Sequence, residues 1–131
     1  MDKRELKKRC YLEALDDSLI HVEKVLNYLN KIEEKKGIFD EDILFKDYTK
    51  AVLDLELSLA DLCIVLRKMS ENQYIVLGDE LRRDVNSLIH SNRFDYEEDI
   101  YVYSQRGKEK VDLRGLLGFC KKLLFFDKIR S

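Results

Sequence analysis

From residue 3 to about residue 35, apolar side chains return every three or four positions: Leu12, Leu15, Leu19, Val22, Leu26 and Leu29. That rhythm is the turn of an α-helix with one buried stripe, so the chain opens on a long amphipathic helix, Lys3 to about Lys35. Gly37, the first glycine in a chain without proline, breaks it within "KKGIFDED". The same spacing resumes at Phe45, Tyr48, Val52, Leu55, Leu59, Leu62, Leu66 and Met69, a second long helix. Two such helices joined by a short loop bury their stripes on each other, which predicts an antiparallel hairpin. A coiled-coil partner using the same stripes is the alternative.

"SENQYIVLGD" is a polar break, and Gly78 with Asp79 suits the start of a third helix reaching about Asn92. Then the period changes. In "DIYVYSQRGKEKVDL", Ile100 and Val102 alternate with Tyr101 and Tyr103, Gly107 supplies a turn, and Val111 and Leu113 resume, which predicts a small β-hairpin. Leu116, Leu117, Cys120, Leu123, Leu124 and Ile129 return to helical spacing through Gly118. The fold class is therefore mainly α: a helical bundle of two long antiparallel helices, a third helix, a hairpin and a C-terminal helix.

At 131 residues the chain suits a single domain spanning 1–131, with one modest core. It has neither an apolar run long enough for a bilayer nor an apolar segment behind the basic start "MDKRELKKRC", so it reads as cytoplasmic, with no membrane partner. Cys10, Cys63 and Cys120 are far apart and odd in number, which suggests neither a disulfide framework nor a zinc site. Each is expected as a small core hydrophobe. No cofactor or metal is expected either. Asp16 with Asp17 and the acids of "FDED" have no histidine or third acid at ligand spacing, and no glycine-rich phosphate loop follows a strand.

A net charge of −2 argues against coating nucleic acid through overall charge. The charge is unevenly divided, however: residues 104–131 hold eight Lys or Arg against three acids. Such a surface can hold a phosphate backbone, or can simply be a solvated basic helix.

The third helix raises the sharper question. At about 100° per residue, Leu77, Leu81, Val85, Leu88 and Ile89 share one side. Asp79, Arg83, Asn86 and His90 fall on the other, with Arg83 and His90 two turns, about 10.5 Å, apart. Polar residues on a solvated helix face need no function. This set also suffices for RNA cleavage without metal. A histidine exchanges a proton near neutral pH, an arginine clamps phosphate and stabilises its developing charge, and Asn86 can orient either partner. One histidine cannot readily be both base and acid, so a second copy of the chain would complete the site; His21 lies on a different helix.

Helix order, "RDVNSLIH" and the following "FDYEEDIYVYSQRGKEKVDL" together resemble the HEPN (higher eukaryotes and prokaryotes nucleotide-binding) superfamily. That family is marked by Arg, four to six residues, and His; here six residues separate Arg83 from His90, and Asn86 or Asp84 matches the polar residue common in the motif. The resemblance implies a homodimer through the motif-bearing helix. It also implies a metal-independent ribonuclease leaving a 2′,3′-cyclic phosphate, as in toxin–antitoxin and abortive-infection proteins of bacterial defence. His90 would be general acid/base, Arg83 phosphate clamp and Asn86 orienter, with an antitoxin or other protein partner possible. Two departures set the chain apart from the subfamily paired with nucleotidyltransferase antitoxins. Asn92 stands where that subfamily has a tyrosine, and the Arg–His gap is six residues rather than four.

RNA would be guided by Arg82, Arg93, Arg106, Lys108 and Lys110. Tyr96, Tyr101 and Tyr103 could stack bases, though a hairpin packed on a helix needs such residues anyway. Two other readings compete: a non-catalytic dimerisation or RNA/nucleotide-binding module of the same fold, and a small helical inhibitor or adaptor whose acidic body mimics nucleic acid.

Overall fold

The computed structural model describes residues 2–34, 41–90, 94–97, 101–104 and 110–130. Helices α1 (Lys3–Glu34) and α2 (Glu41–Glu71) form the frame, followed by α3 (Asp79–His90), strands β1 (Phe94–Glu97), β2 (Tyr101–Ser104) and β3 (Lys110–Asp112), and helix α4 (Leu113–Arg130). The expected helical bundle with its C-terminal helix is present.

Asp2 starts α1 by accepting the Glu5 N–H at Oδ1, 2.8 Å, which satisfies one of the amides that a helix start leaves open. All six residues of the predicted α1 stripe are buried, joined by Val25 and Ile32. Across from them α2 buries Leu55, Leu59, Leu62, Leu66 and Met69, and also Ala51, Cys63 and Ser58. Ser58 is accommodated because its hydroxyl donates to the Asp54 carbonyl one turn back, 2.6 Å. Among the described elements the α1–α2 interface is the most extensive; α3 packs mainly on α2, while α4 packs on α1 and β2.

The turn that launches α3 is tightly made. Tyr74 N–H reaches back to Met69 O at 2.9 Å and Gln73 N–H to Ser70 O at 3.0 Å, closing α2 with Gln73 at a φ of 63°, where glycine is usual. A strap from the start of α1 crosses this turn. The Arg4 guanidinium donates to the carbonyls of Asn72 (3.3 Å) and Gln73 (3.4 Å) and lies 4.5 Å from the centre of the Tyr74 ring. The Tyr74 hydroxyl in turn donates to Arg4 O at 3.1 Å, and Tyr11 packs against the same ring.

Of the hairpin expected over 100–113, the described parts pair as antiparallel β2 and β3, with Tyr103 opposite Lys110 and Tyr101 opposite Asp112, while Ile100 and the turn expected at Gly107 lie outside the described residues. β1 adds a third antiparallel strand, Phe94 facing Ser104 and Glu97 facing Tyr101. Leu113, read from sequence as the end of the hairpin, is instead the first residue of α4. Asp112 makes the change by accepting the Gly115 N–H at 3.1 Å, an N-cap that ends the strand and starts the helix.

Two of the three cysteines behave as core hydrophobes. Cys63 and Cys120 are fully buried, whereas Cys10 is exposed, against expectation, because it falls outside the stripe that Leu12 and Leu15 define on α1. Burial pushes both buried thiols far up, that of Cys120 to about 12, so neither is a nucleophile at neutral pH.

Candidate functional site

α3 divides as its sequence predicts. Leu77, Val85 and Leu88 are buried, Leu81 and Ile89 half-buried, and Arg82, Arg83, Asn86 and His90 exposed. Gly78 sits at the start, its carbonyl accepting the Arg82 N–H at 2.9 Å, and Asp79 and Glu80 occupy the first turn. The helix is thus fixed on α2 by its apolar side, and its orientation is set by the strapped turn before it.

Asp79, Arg82, Arg83, Asn86 and Ser87 line a shallow, open depression on the outer side. Arg82 is partly committed, donating Nη2 to the Leu77 carbonyl at 3.3 Å. Among the described residues the side chains of Arg83 and Asn86 make no hydrogen bond or ion pair, so a guanidinium and a side-chain amide stand exposed one turn apart. His90, the last residue of α3, lies beyond the lining of this depression. Among the described residues the set therefore forms a line along one helix, and all the residues lining the depression belong to that helix.

The two polar matches to the motif separate by position. Asn86 is on the exposed line, while Asp84 is half-buried and close enough to Cys63 for its charge to disfavour the thiolate. Asn86 is the one that can meet a ligand. His21 does not join the set: it sits on α1 and pairs across to α2 through Nε2 and Asp54 Oδ1, 3.2 Å.

Of the residues expected to guide RNA, Arg93, Arg106 and Lys108 lie outside the described residues. Lys110 is in β3, opposite Tyr103, its side chain outside the described set, as are the side chains of Tyr96, Tyr101 and Tyr103.

A second polar concavity was not anticipated from the sequence. It runs between α1 and α4, and its lining includes Glu23, Asn27, Asn30, Arg114, Gly118 and Lys121. Glu23 Oε1, withdrawn from solvent, takes the Lys121 ammonium as its partner at 2.9 Å. Asn27 and Asn30 stand three apart on α1 beside the leucine stripe, a spacing that could have drawn attention to that edge of the helix.

Among the described residues no three His, Cys, Asp or Glu side chains converge as metal ligands, and no helix is long and apolar enough to cross a membrane. No protein-family model matches this chain, and neither a curated protein nor a solved structure matches it.

Proposed function

We propose that the protein is a homodimeric endoribonuclease of the HEPN type, working without metal, in a toxin–antitoxin or defence setting. The observation that carries this reading is the exposure of Arg83, Asn86 and His90 along one side of a helix whose other side is packed into the core.

In this reading two α3 helices face each other across the dimer axis and convert each open line into a cleft. The imidazole of one His90 removes the proton of a ribose 2′-hydroxyl, and that oxygen attacks the adjacent phosphorus. The bond from phosphorus to the 5′-oxygen breaks, and the departing oxygen takes a proton from the imidazolium of the partner's His90. The products are a 2′,3′-cyclic phosphate and a free 5′-hydroxyl. Arg83 neutralises charge on the non-bridging oxygens as it builds in the transition state. Asn86, one turn from Arg83 on the same side, holds the phosphate or the imidazole in line.

The test is a gel of end-labelled single-stranded RNA incubated with the pure chain in excess EDTA. Wild type is expected to cleave and His90→Ala to lose about 10²–10⁴-fold in rate while remaining folded. Arg83→Lys should not restore an Arg83→Ala loss, because an ammonium cannot make the paired hydrogen bonds of guanidinium. Undiminished cleavage by His90→Ala would refute the mechanism. A second reading, RNA binding without cleavage, is favoured by the openness of the depression in one protomer. It predicts RNA retention with no product from either chain.

A further inference from the structure

α4 buries one side and leaves the other bare. Leu113, Leu116, Leu117 and Cys120 are buried together. At about 100° per residue the opposite arc carries Arg114, Lys121, Phe125, Lys122 and Phe126, all exposed, with Gly115 and Gly118 between them. No carboxylate of a described residue in α4 lies on this arc. Phe125 and Phe126 are 60% and 57% exposed. They meet edge to face with centroids 5.9 Å apart, so neither ring covers both faces of the other. One border of the arc is the groove between α1 and α4, where Asn27 and Asn30 face Arg114, Gly118 and Lys121.

We propose that this groove and the Phe125–Phe126 corner form a binding track for single-stranded RNA, distinct from the Arg83–His90 line. The proposal takes its ligand class from the nuclease reading, but concerns binding alone. A single strand presents phosphates and unstacked bases together, and the arc offers partners for both: viewed down the helix, Lys121, Arg114, Phe125, Lys122 and Phe126 interleave over about 140°, with the two lysines one turn before the two rings. A helix that lies on a lipid surface segregates its apolar residues from its bases instead of interleaving them. Arg114 and Lys122 would hold phosphates, and the two rings would stack bases. Lys121 is held by Glu23 at 2.9 Å but its ammonium keeps further protons to donate. A Cβ added at Gly118 would meet nothing within 4 Å, so the fold does not require glycine there. Its bare backbone lets a sugar–phosphate chain lie close to the helix.

The experiment is fluorescence anisotropy of a labelled oligouridine with the full chain carrying His90→Ala, so that binding is read without turnover. Phe125→Ala/Phe126→Ala is expected to weaken binding about tenfold or more. Arg114→Ala/Lys122→Ala should weaken it as well and flatten the slope of log K against log salt by about 1.4, the value for two phosphate contacts on a single strand. Both pairs are exposed, and an unchanged helical circular dichroism signal confirms that the fold survives. Failure of the parent chain to bind at low salt would overturn the track, as would full affinity in both double variants. So would loss of phosphatidylserine-vesicle binding in those variants with RNA affinity intact. If wild type never cleaves RNA yet the variants still weaken binding, the track stands and the nuclease reading falls.

Discussion

Two leucines on α2, two residues apart, give opposite expectations. Leu59 is fully buried between the long helices, whereas Leu57 is 68% exposed on the outer side. Leu59→Ala removes three carbons from the core. At about 0.8 kcal/mol per buried methylene the transfer loss is about 2.4 kcal/mol, and the cavity left behind raises it to about 2.5–5 kcal/mol. Leu57 keeps only about a third of that burial, and alanine's better helix propensity offsets part of the rest, so Leu57→Ala should stay within about 0.5 kcal/mol of wild type. Urea unfolding followed by circular dichroism reads the contrast: a midpoint lowered by about 1–2 M for Leu59→Ala and nearly unmoved for Leu57→Ala. Equal losses would refute the assignment of the two faces. A Leu57→Ala loss that shrinks on dilution would show that a second copy covers the outer side of α2.

Removing the α4 cap with Asp112→Ala should cost about 0.5–2 kcal/mol, and Asp112→Asn much less, measured by the same unfolding. Gln73→Gly should raise the melting temperature by a few degrees, because it removes a left-handed strain of about 1 kcal/mol from a non-glycine residue. Under native conditions an aromatic disulfide reagent should titrate Cys10 alone, and all three thiols after denaturation. Burial raises the thiols of Cys63 and Cys120, so the folded chain keeps protons that the unfolded chain gives up above about pH 8.5. Their contribution is complete below that pH and falls as pH climbs toward 12; a urea midpoint as high at pH 10 as at pH 7.5 would contradict it.

The long helices were legible because leucine at three-and-four spacing admits one solution, and their observed ends, Glu34 and Glu71, lie within about two residues of those the pattern gives. β1 was not legible: four residues, "FDYE", carry too little alternation to signal a strand, and it exists through pairing with β2. Leu113 misled because an apolar residue after Val111 fits a strand, while the cap that turns the chain lies in the side chain of Asp112. On α3 the periodicity separated core from surface correctly, but it could not show that His90 stands outside the depression that Arg83 and Asn86 line. The exposed Phe125 and Phe126 sat in plain view as the residues the α4 stripe had skipped. The groove beside them needed the α1–α4 packing, which one-dimensional spacing does not contain.

The Arg4 strap ties residues 68 to 70 positions apart. During synthesis the first turn of α1 leaves the ribosome long before Asn72, Gln73 and Tyr74, so it stays without these partners until the whole hairpin has emerged. The turn that aims α3 therefore takes its final form late, and the first turn of α1, made earlier than its partners, is among the last elements to find its contacts. A lesion at Arg4 would then be felt as slow or imperfect delivery of α3, far from the residues that α3 displays.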